Sequence, residues 1–451
     1  MKKTVILLLM AFSGLVFAGR ITFSTSVNKP DGLFKVGEEI VLTASMLEDK
    51  KPAESKKLGY RLMYDNKAIK CGYVNGDEKI SFTVKADKPG WVYLNLYSFG
   101  DSESDQLHLK RVSNAKYYVR ASKMGGIGAM VEPEKLRHSQ EEPADFDEFW
   151  NNVKKELAAV PVKELEKKPI PEAVIKQAGI VKPEQYVFSD VKVACAGGSP
   201  VSGYLTVPKN AKKGSLPALV TYHGAGVRSA RLNKMDASLD IIVFDVNAHG
   251  IENSHPDAYY KKLDISKLIK GESYPYWNRG DRDNFYFKGM YMRVLRALEY
   301  VKSLPEWDGK TLIVSGGSQG GAQVLAACAL DHDITLARAK VPALCDHFAG
   351  KSGRVSGWPR ALSRKAPEGK TLDDVAKCLA YYDGVYFAKR IKCPIYLYTG
   401  FIDTTCAPTS VFAAYNNIPA TTSKSIFTVP SAGHSVPENQ FYPVLQKHIR
   451  K

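Results

Sequence analysis

Thr311-Leu312-Ile313-Val314-Ser315-Gly316-Gly317-Ser318-Gln319-Gly320-Gly321-Ala322 carries an apolar, strand-like run into a glycine-flanked serine, then into an Ala-rich stretch reaching Leu330. Its centre reads Gly-x-Ser-x-Gly, from Gly316 to Gly320. A nucleophilic serine must stand clear of its backbone on a tight, strained turn, so small residues belong two positions to either side. The following helix aims its first N–H groups at the serine, where negative charge develops. The five residues alone could form a plain glycine turn. With a strand before and a helix after, they predict a nucleophile elbow on an α/β sheet, with Ser318 as the nucleophile.

Outward from that turn, apolar runs alternate with helical stretches: residues 187–195, 203–207, 218–222, 241–245, 311–315, 339–344, 394–398 and 425–429. The first two can pair as a hairpin. The others, separated by helices, predict a mostly parallel sheet covered on both faces. Residues 289–302 carry Tyr291, Val294, Leu295, Leu298 and Val301 at helical spacing, a core-facing stripe.

A serine hydroxyl needs a base, and the base needs a carboxylate to orient it. The run 394–398 leads to Asp403 and the run 425–429 leads to His434 through Pro430-Ser431-Ala432-Gly433. Taken singly, Asp403 could cap the helix expected near Pro408, and His434 could sit in a surface loop. Together after successive strands they follow Ser318 in the chain order of an α/β-hydrolase triad. The run 218–222 ends in His223-Gly224-Ala225-Gly226, the strand-end loop expected to supply one backbone N–H to an oxyanion. The amide of Gln319 is the expected second donor. His223 reads as a loop brace. His249, in Asn247-Ala248-His249-Gly250, ends another strand and is a candidate for facing the substrate. Residues 251–284 contain Tyr259, Tyr260, Tyr274, Tyr276 and Trp277. Such aromatics suit stacking on sugar faces, with Trp277 the candidate platform, but a loop at a subunit interface would look the same.

Four parts are expected along the chain. Residues 1–18 form a secretory leader: Met1-Lys2-Lys3, an apolar run over 5–18, and small residues at Val16 and Ala18 before the exit. That run is shorter than the ~20 residues that span a bilayer, which disfavours an anchor. No other run is apolar enough to span, so export to the periplasm or medium is expected. Residues 19–122 predict an immunoglobulin-like β-sandwich, with strands at 21–27, 39–46, 59–64, 79–84 and 91–97 and another near 117–119. Residues 123–185 then read as a Gly-rich joint (124–128), an amphipathic helix from Phe146 capped by Asp145, and a solvated Lys/Glu/Pro connection over 162–182. Residues 186–451 are the hydrolase.

The 451 residues are 44% hydrophobic, 24% charged and 10% aromatic, which excludes a disordered, collagen-like or disulfide-stapled chain. The net charge of +16 loses two with Lys2 and Lys3 if the leader is removed. The remaining lysines are spread along solvated faces without a compact basic stripe, so nucleic acid is not an expected partner. The seven cysteines lack framework spacing and mostly sit in apolar segments, reading as small buried hydrophobes. No Cys-x-x-Cys or His-x-x-x-His pair suggests a metal site.

Residues 316–321, 400–416 and Gly433-His434 resemble the acetyl xylan esterase / cephalosporin C deacetylase family. So do the start at Asp145 to Trp150, the His223-Gly224 loop and the helix over 289–301. Gly-Gly-Ser-Gln-Gly-Gly, with Phe412-Ala413-Ala414-Tyr415-Asn416 after the acid, is narrower than a general hydrolase signature. The similarity runs from about residue 132 to 448. It implies an α/β-hydrolase that removes acetyl groups from sugar hydroxyls without a cofactor. Ser318, Asp403 and His434 would be its triad, Ala225 and Gln319 its oxyanion donors. The expected substrate is an acetylated oligo- or polysaccharide or a small acetylated molecule. Two departures stand out. Asn247-Ala248-His249 replaces the family's usual Arg-Gly-Gln, so bracing near the site must differ. The N-terminal sandwich is extra, which leaves open whether the family's habitual homo-oligomer forms. The rivals are a serine peptidase or broad small-acyl esterase on the same fold and, from another class, a non-catalytic glycan-binding protein.

Overall fold

The computed structural model describes residues 20–115, 119, 121, 123–233, 239–263 and 273–450. The leader at 1–18, and Tyr117 and Tyr118 of the strand expected at 117–119, lie outside the described residues.

The N-terminal region is a two-sheet sandwich built from β1 (Ile21–Val27), β2 (Leu33–Phe34), β3 (Glu39–Glu48), β4 (Lys51–Pro52), β5 (Lys57–Tyr64), β6 (Lys67–Asn75), β7 (Ile80–Lys85), β8 (Gly90–Phe99) and β9 (Lys123–Val131). One sheet joins β1, β3, β4 and β7; the other runs β2-β9-β8-β5-β6. On β3, Ile40, Leu42, Ala44 and Met46 are buried at every second position, the pleat's alternation. They meet Leu58, Leu62, Leu94 and Leu96 of the facing sheet in one core.

Three features depart from expectation. Strand β6 is largely exposed, so it lacks the alternation that marks a half-buried strand. A helix at Glu103–Val112, capped by the Ser102 side chain accepting from Asp105 N–H, buries Leu109 and Val112 against the sandwich edge. The Gly-rich stretch 124–128 is no joint: it is the body of β9, antiparallel to β8 from Gly90↔Val131 to Ser98↔Lys123. The sandwich therefore continues to Val131, beyond the boundary expected at 122. These glycines serve close packing, since a Cβ on Gly128 would stand 2.0 Å from the Phe401 carbonyl oxygen.

The helix Phe146–Ala158 buries Phe146, Phe149, Trp150, Val153 and Leu157. Asp145 stands at its N-cap, but its carboxylate bonds to Arg282 and Tyr381 instead of capping. Part of the expected connection is an edge strand, β10 (Glu164–Pro169), followed by a short helix at Glu172–Ala178. Backbone bonding to β11 (Tyr186–Val193) holds β10, so its exposed Lys and Glu side chains do not reveal it.

The nine-stranded sheet orders β10-β11-β12-β14-β13-β15-β16-β17-β18. β12 (Val201–Pro208) is antiparallel to both neighbours. From β14 (Ile242–Asn247) through β13 (Leu216–Tyr222), β15 (Trp307–Gly317), β16 (Leu336–Lys340), β17 (Ile395–Gly400) and β18 (Lys424–Val429) all pairs are parallel. The strand expected at 339–344 lies earlier because Val341 and Leu344 adopt positive φ around Pro342 and leave the pleat. Helices Tyr286–Ser303 and Gln319–Leu330 pack into the sheet's core. All seven cysteines are unbridged and five are buried. Among the described residues, no helix is long and apolar enough to cross a membrane.

Candidate active site

The carboxyl ends of β13, β15, β17 and β18 meet at one edge, where an open α/β sheet presents its loops. Ser318 follows β15 and precedes the helix Gln319–Leu330, with φ 58° and ψ −122°. An L-residue adopts that conformation only when its surroundings hold it there. Ser318 N–H donates to the Lys340 carbonyl, and its own carbonyl accepts from Ala322 and Ala343. The turn closes because Gly316 and Gly320 lack side chains. A Cβ on Gly316 would stand 2.4 Å from the Gly320 oxygen, and one on Gly320 2.0 Å from the Tyr222 oxygen.

Asp403 and His434 come together as the chain order predicts. His434 Nδ1 lies 2.8 Å from Asp403 Oδ2. The other oxygen, Oδ1, accepts from the Thr405 and Cys406 backbone N–H groups at 2.8 and 3.0 Å. Asp403 is buried, while the His434 side chain is 38% exposed. Cys406 packs beside Ser318 and Asp403, its thiol pushed well up by desolvation. Ligand atoms of Asp403, Cys406 and His434 lie within 4.8 Å of one another, but this is the same hydrogen-bonded acid–imidazole pair.

The loop after β13 lies against the nucleophile: a Cβ on Gly224 would be 3.4 Å from Ser318 Cβ. His223 Nε2 accepts from Ala248 N–H at 3.1 Å, so Nδ1–H donates to the Gly224 carbonyl at 2.6 Å. Arg228 donates to the same carbonyl. Because the peptide is trans and planar, this turns the Ala225 N–H the opposite way, free of the brace. On the other side, Gln319 is the first residue of its helix, where a backbone N–H has no intrahelical acceptor.

Desolvation first, then the Arg228 cation, pushes His223 down to about 4 from 6.5. A depressed imidazole binds fewer protons folded than unfolded, so its contribution to stability is present above pH 6.5 and lost toward pH 4. In denaturant melts, the stability advantage of wild type over His223→Gln is expected to shrink across that window. A constant difference would contradict a neutral, bonded His223.

His249 does not present its ring nitrogens to substrate. It is 3% exposed, its Nε2–H donates to the Gly226 carbonyl at 3.1 Å, and Nδ1 accepts from the Tyr286 hydroxyl at 2.6 Å. It braces the loop after β13 from behind, and desolvation holds it well below the usual histidine range. Trp277 is half-buried, with Tyr286 edge-on to it at 6.5 Å. With His249 and Tyr286 it lines a cavity of about 500 Å³ whose lining does not include Ser318, Asp403 or His434.

Tyr274, in the aromatic segment that suits sugar stacking and a subunit interface equally, is buried in the protein. Its hydroxyl donates to Gln319 Oε1 at 2.8 Å and accepts from Gly226 N–H at 3.2 Å. It thereby ties the loop after β13 to the residue after the nucleophile. Tyr274→Phe removes both bonds and keeps the ring. The expected result is a loss of about 10- to 100-fold in kcat with little change in KM, since small displacements of oxyanion donors are costly. Steady-state kinetics on a small acetyl ester check this; an unchanged kcat would dismiss the tie. No sequence motif marks Tyr274, because its partners lie 45 and 48 residues away.

The family model for acetyl xylan esterase (AXE1) matches residues 129–442. The acetyl esterase Axe7A of Xylanibacter ruminicola is 30% identical over 411 residues, covering 88% of this chain and 83% of its own. An acetyl xylan esterase from Paenibacillus sp. R4 superposes with a TM-score of 0.58 at 26% identity, over 71% of this chain and 98% of that one. Acetyl xylan esterase 1 from Thermoanaerobacterium sp. JW/SL YS485 shares the fold, with a TM-score of 0.55 at 22% identity over 70% and 96%. A serine set in a strand–helix elbow and an aspartate–histidine pair beside it accord with these similarities, and the chain belongs to the acetyl xylan esterase family of ester hydrolases.

Proposed function

We propose that the protein removes acetyl groups from acetylated oligo- or polysaccharides, acetylated xylan among them, through an acetyl-enzyme on Ser318. The observation that carries this is the His434 Nδ1 to Asp403 Oδ2 bond of 2.8 Å beside a serine held at positive φ. His434 takes the hydroxyl proton of Ser318 as its oxygen attacks the acetyl carbonyl. The Ala225 and Gln319 backbone N–H groups hold the oxyanion, each worth about 3–4 kcal/mol in sites of this kind. His434 Nε2 then returns the proton to the departing sugar hydroxyl. Water repeats the sequence on the acetyl-enzyme and releases acetate. Asp403 keeps the proton on Nδ1 and stabilises the imidazolium.

Family membership, together with the Asp403–His434 bond, favours this reading over a glycan-binding protein with an inert hydrolase. The apolar leader at residues 1–18 supports export, which would bring the enzyme to polymeric substrate. Acetate release across a panel of acetylated xylo-oligosaccharides, other acetylated glycans and a simple acetyl ester tests the substrate class. Activity confined to the simple ester would overturn the carbohydrate reading. Fluorophosphonate labelling is expected at Ser318; a label elsewhere, or none, would overturn the catalytic one.

A further inference from the structure

The sandwich does not merely precede the hydrolase; it touches the two loops that carry the acid and the base. The family match begins only at residue 129, so nearly all of the sandwich precedes it. The fully buried Trp91 of β8 donates its indole N–H to the Phe401 carbonyl at 2.6 Å. Phe401 stands two residues before Asp403. Gly128 of β9 donates its backbone N–H to the Pro430 carbonyl at 2.9 Å, four residues before His434. The two loops are also bonded to each other, Ile402 N–H to the Ala432 carbonyl at 3.0 Å. One carbonyl in each catalytic loop is therefore satisfied by a donor from the sandwich.

Packing reinforces those bonds. Trp91, Tyr93 and Met130 of the sandwich form a buried cluster with Phe401, Ala407 and Phe412 of the hydrolase. The Trp91 indole lies stacked on Tyr93 at 3.7 Å, which fixes where its N–H points. Gly128 lets the backbones meet, since any Cβ there would fall 2.0 Å from the Phe401 oxygen. Gly126 likewise faces Ile402, with a Cβ position 3.2 Å from its Cγ2.

We propose that the sandwich is part of the catalytic scaffold: Trp91 and Gly128 are positioning residues that hold the Asp403 and His434 loops in register. This rests on the assignment of Asp403 and His434 as acid and base. The Asp–His bond is short and directional, and the two residues arrive on separate loops that leave the ladder after Gly400 and Val429 and are tied by the Phe401 N–H to Val429 and Ile402 N–H to Ala432 bonds. To these bonds the clamp adds one donor from the sandwich on each loop. Loss of a donor lets the Phe401 loop relax, and a displacement of about 1 Å in a catalytic group can cost on the order of 100-fold.

The test compares three variants of the full chain on 4-nitrophenyl acetate, with melting temperatures recorded for each. Trp91→Phe keeps an aromatic ring and removes the donor. The expected result is a kcat lowered about 10- to 100-fold with KM within about twofold, a split that a loss of stability alone would not produce. Gly128→Ala, whose methyl must displace the Phe401 carbonyl, is expected to show the same loss confined to kcat. Leu42→Ala, in the sandwich core on the other sheet, is expected to lower the melting temperature while leaving kcat at the wild-type value. Wild-type kcat in folded Trp91→Phe or Gly128→Ala would overturn the proposal. So would a kcat loss in Leu42→Ala that tracks its melting temperature. An inert or unlabelled wild type would instead overturn the triad beneath it, a separate result.

Discussion

Replacing Ser318 by alanine should leave the fold intact and lower the rate by about 10⁴- to 10⁶-fold, as triad serines do. The backbone argues for an intact fold. The positive φ at Ser318 is held by main-chain bonds to Lys340, Ala322 and Ala343, none of which uses the hydroxyl. Alanine keeps the Cβ and loses only Oγ, so the proposed oxyanion donors and the Asp403–His434 pair remain in place. A residual rate over water is expected from those survivors. The assay is single-turnover and steady-state hydrolysis of an acetyl ester, with circular dichroism to verify folding. Appreciable surviving turnover would mean that another group attacks the carbonyl.

The second large effect is expected from Asp403→Asn, at about 10⁴-fold in kcat, the scale known for the same change in a serine protease triad. The geometry says why an isosteric amide should be so harmful. Oδ1 of Asp403 accepts two backbone N–H groups, from Thr405 and Cys406. In the variant those donors select the amide oxygen for that position and leave the NH₂ facing His434 Nδ1. The imidazole must then accept at Nδ1 and carry its proton on Nε2, the nitrogen that should receive the serine proton. The wrong tautomer is locked in by the main chain. Kinetics should show a lost kcat with KM retained. Activity close to wild type would show that Asp403 does not set the tautomer.

The two predictions concern residues legible in the primary structure, and the manner of their legibility is physical. The elbow is a local object: Gly316, Ser318 and Gly320 must be spaced by two because the clashes they avoid, with the Gly320 and Tyr222 carbonyls, occur within the turn and its neighbouring strand. Asp403 and His434 follow strands whose apolar runs announce themselves, and a parallel sheet brings such strand ends to one edge. β9 and β10 differ from the expected boundaries for an equally physical reason. β9 is glycine-rich because another backbone approaches it, and β10 is polar because only its ladder is buried. Neither cause leaves a hydrophobic period.

Of the bracing around the site, only His223 was legible. His249 stands at a strand end, where a substrate-facing role was reasonable. Only the folded chain shows both its nitrogens bonded to Gly226 and Tyr286. Tyr274 sits in an aromatic-rich segment that composition leaves open between sugar stacking and a subunit interface, while its hydroxyl joins Gly226 to Gln319.

By itself, then, the amino-acid sequence determined the hydrolase fold, the order Ser318, Asp403, His434 and the existence of a preceding sandwich. Each follows from short-range constraints of spacing, turn chemistry and periodicity. What only the tertiary structure decided is how that sandwich relates to the chemistry. Trp91 meets the Phe401 carbonyl across 310 residues of chain, and nothing in either local sequence requires it. A hydrogen bond to a main-chain carbonyl carries no side-chain signature on the accepting side, so packing alone reveals which oxygen is held.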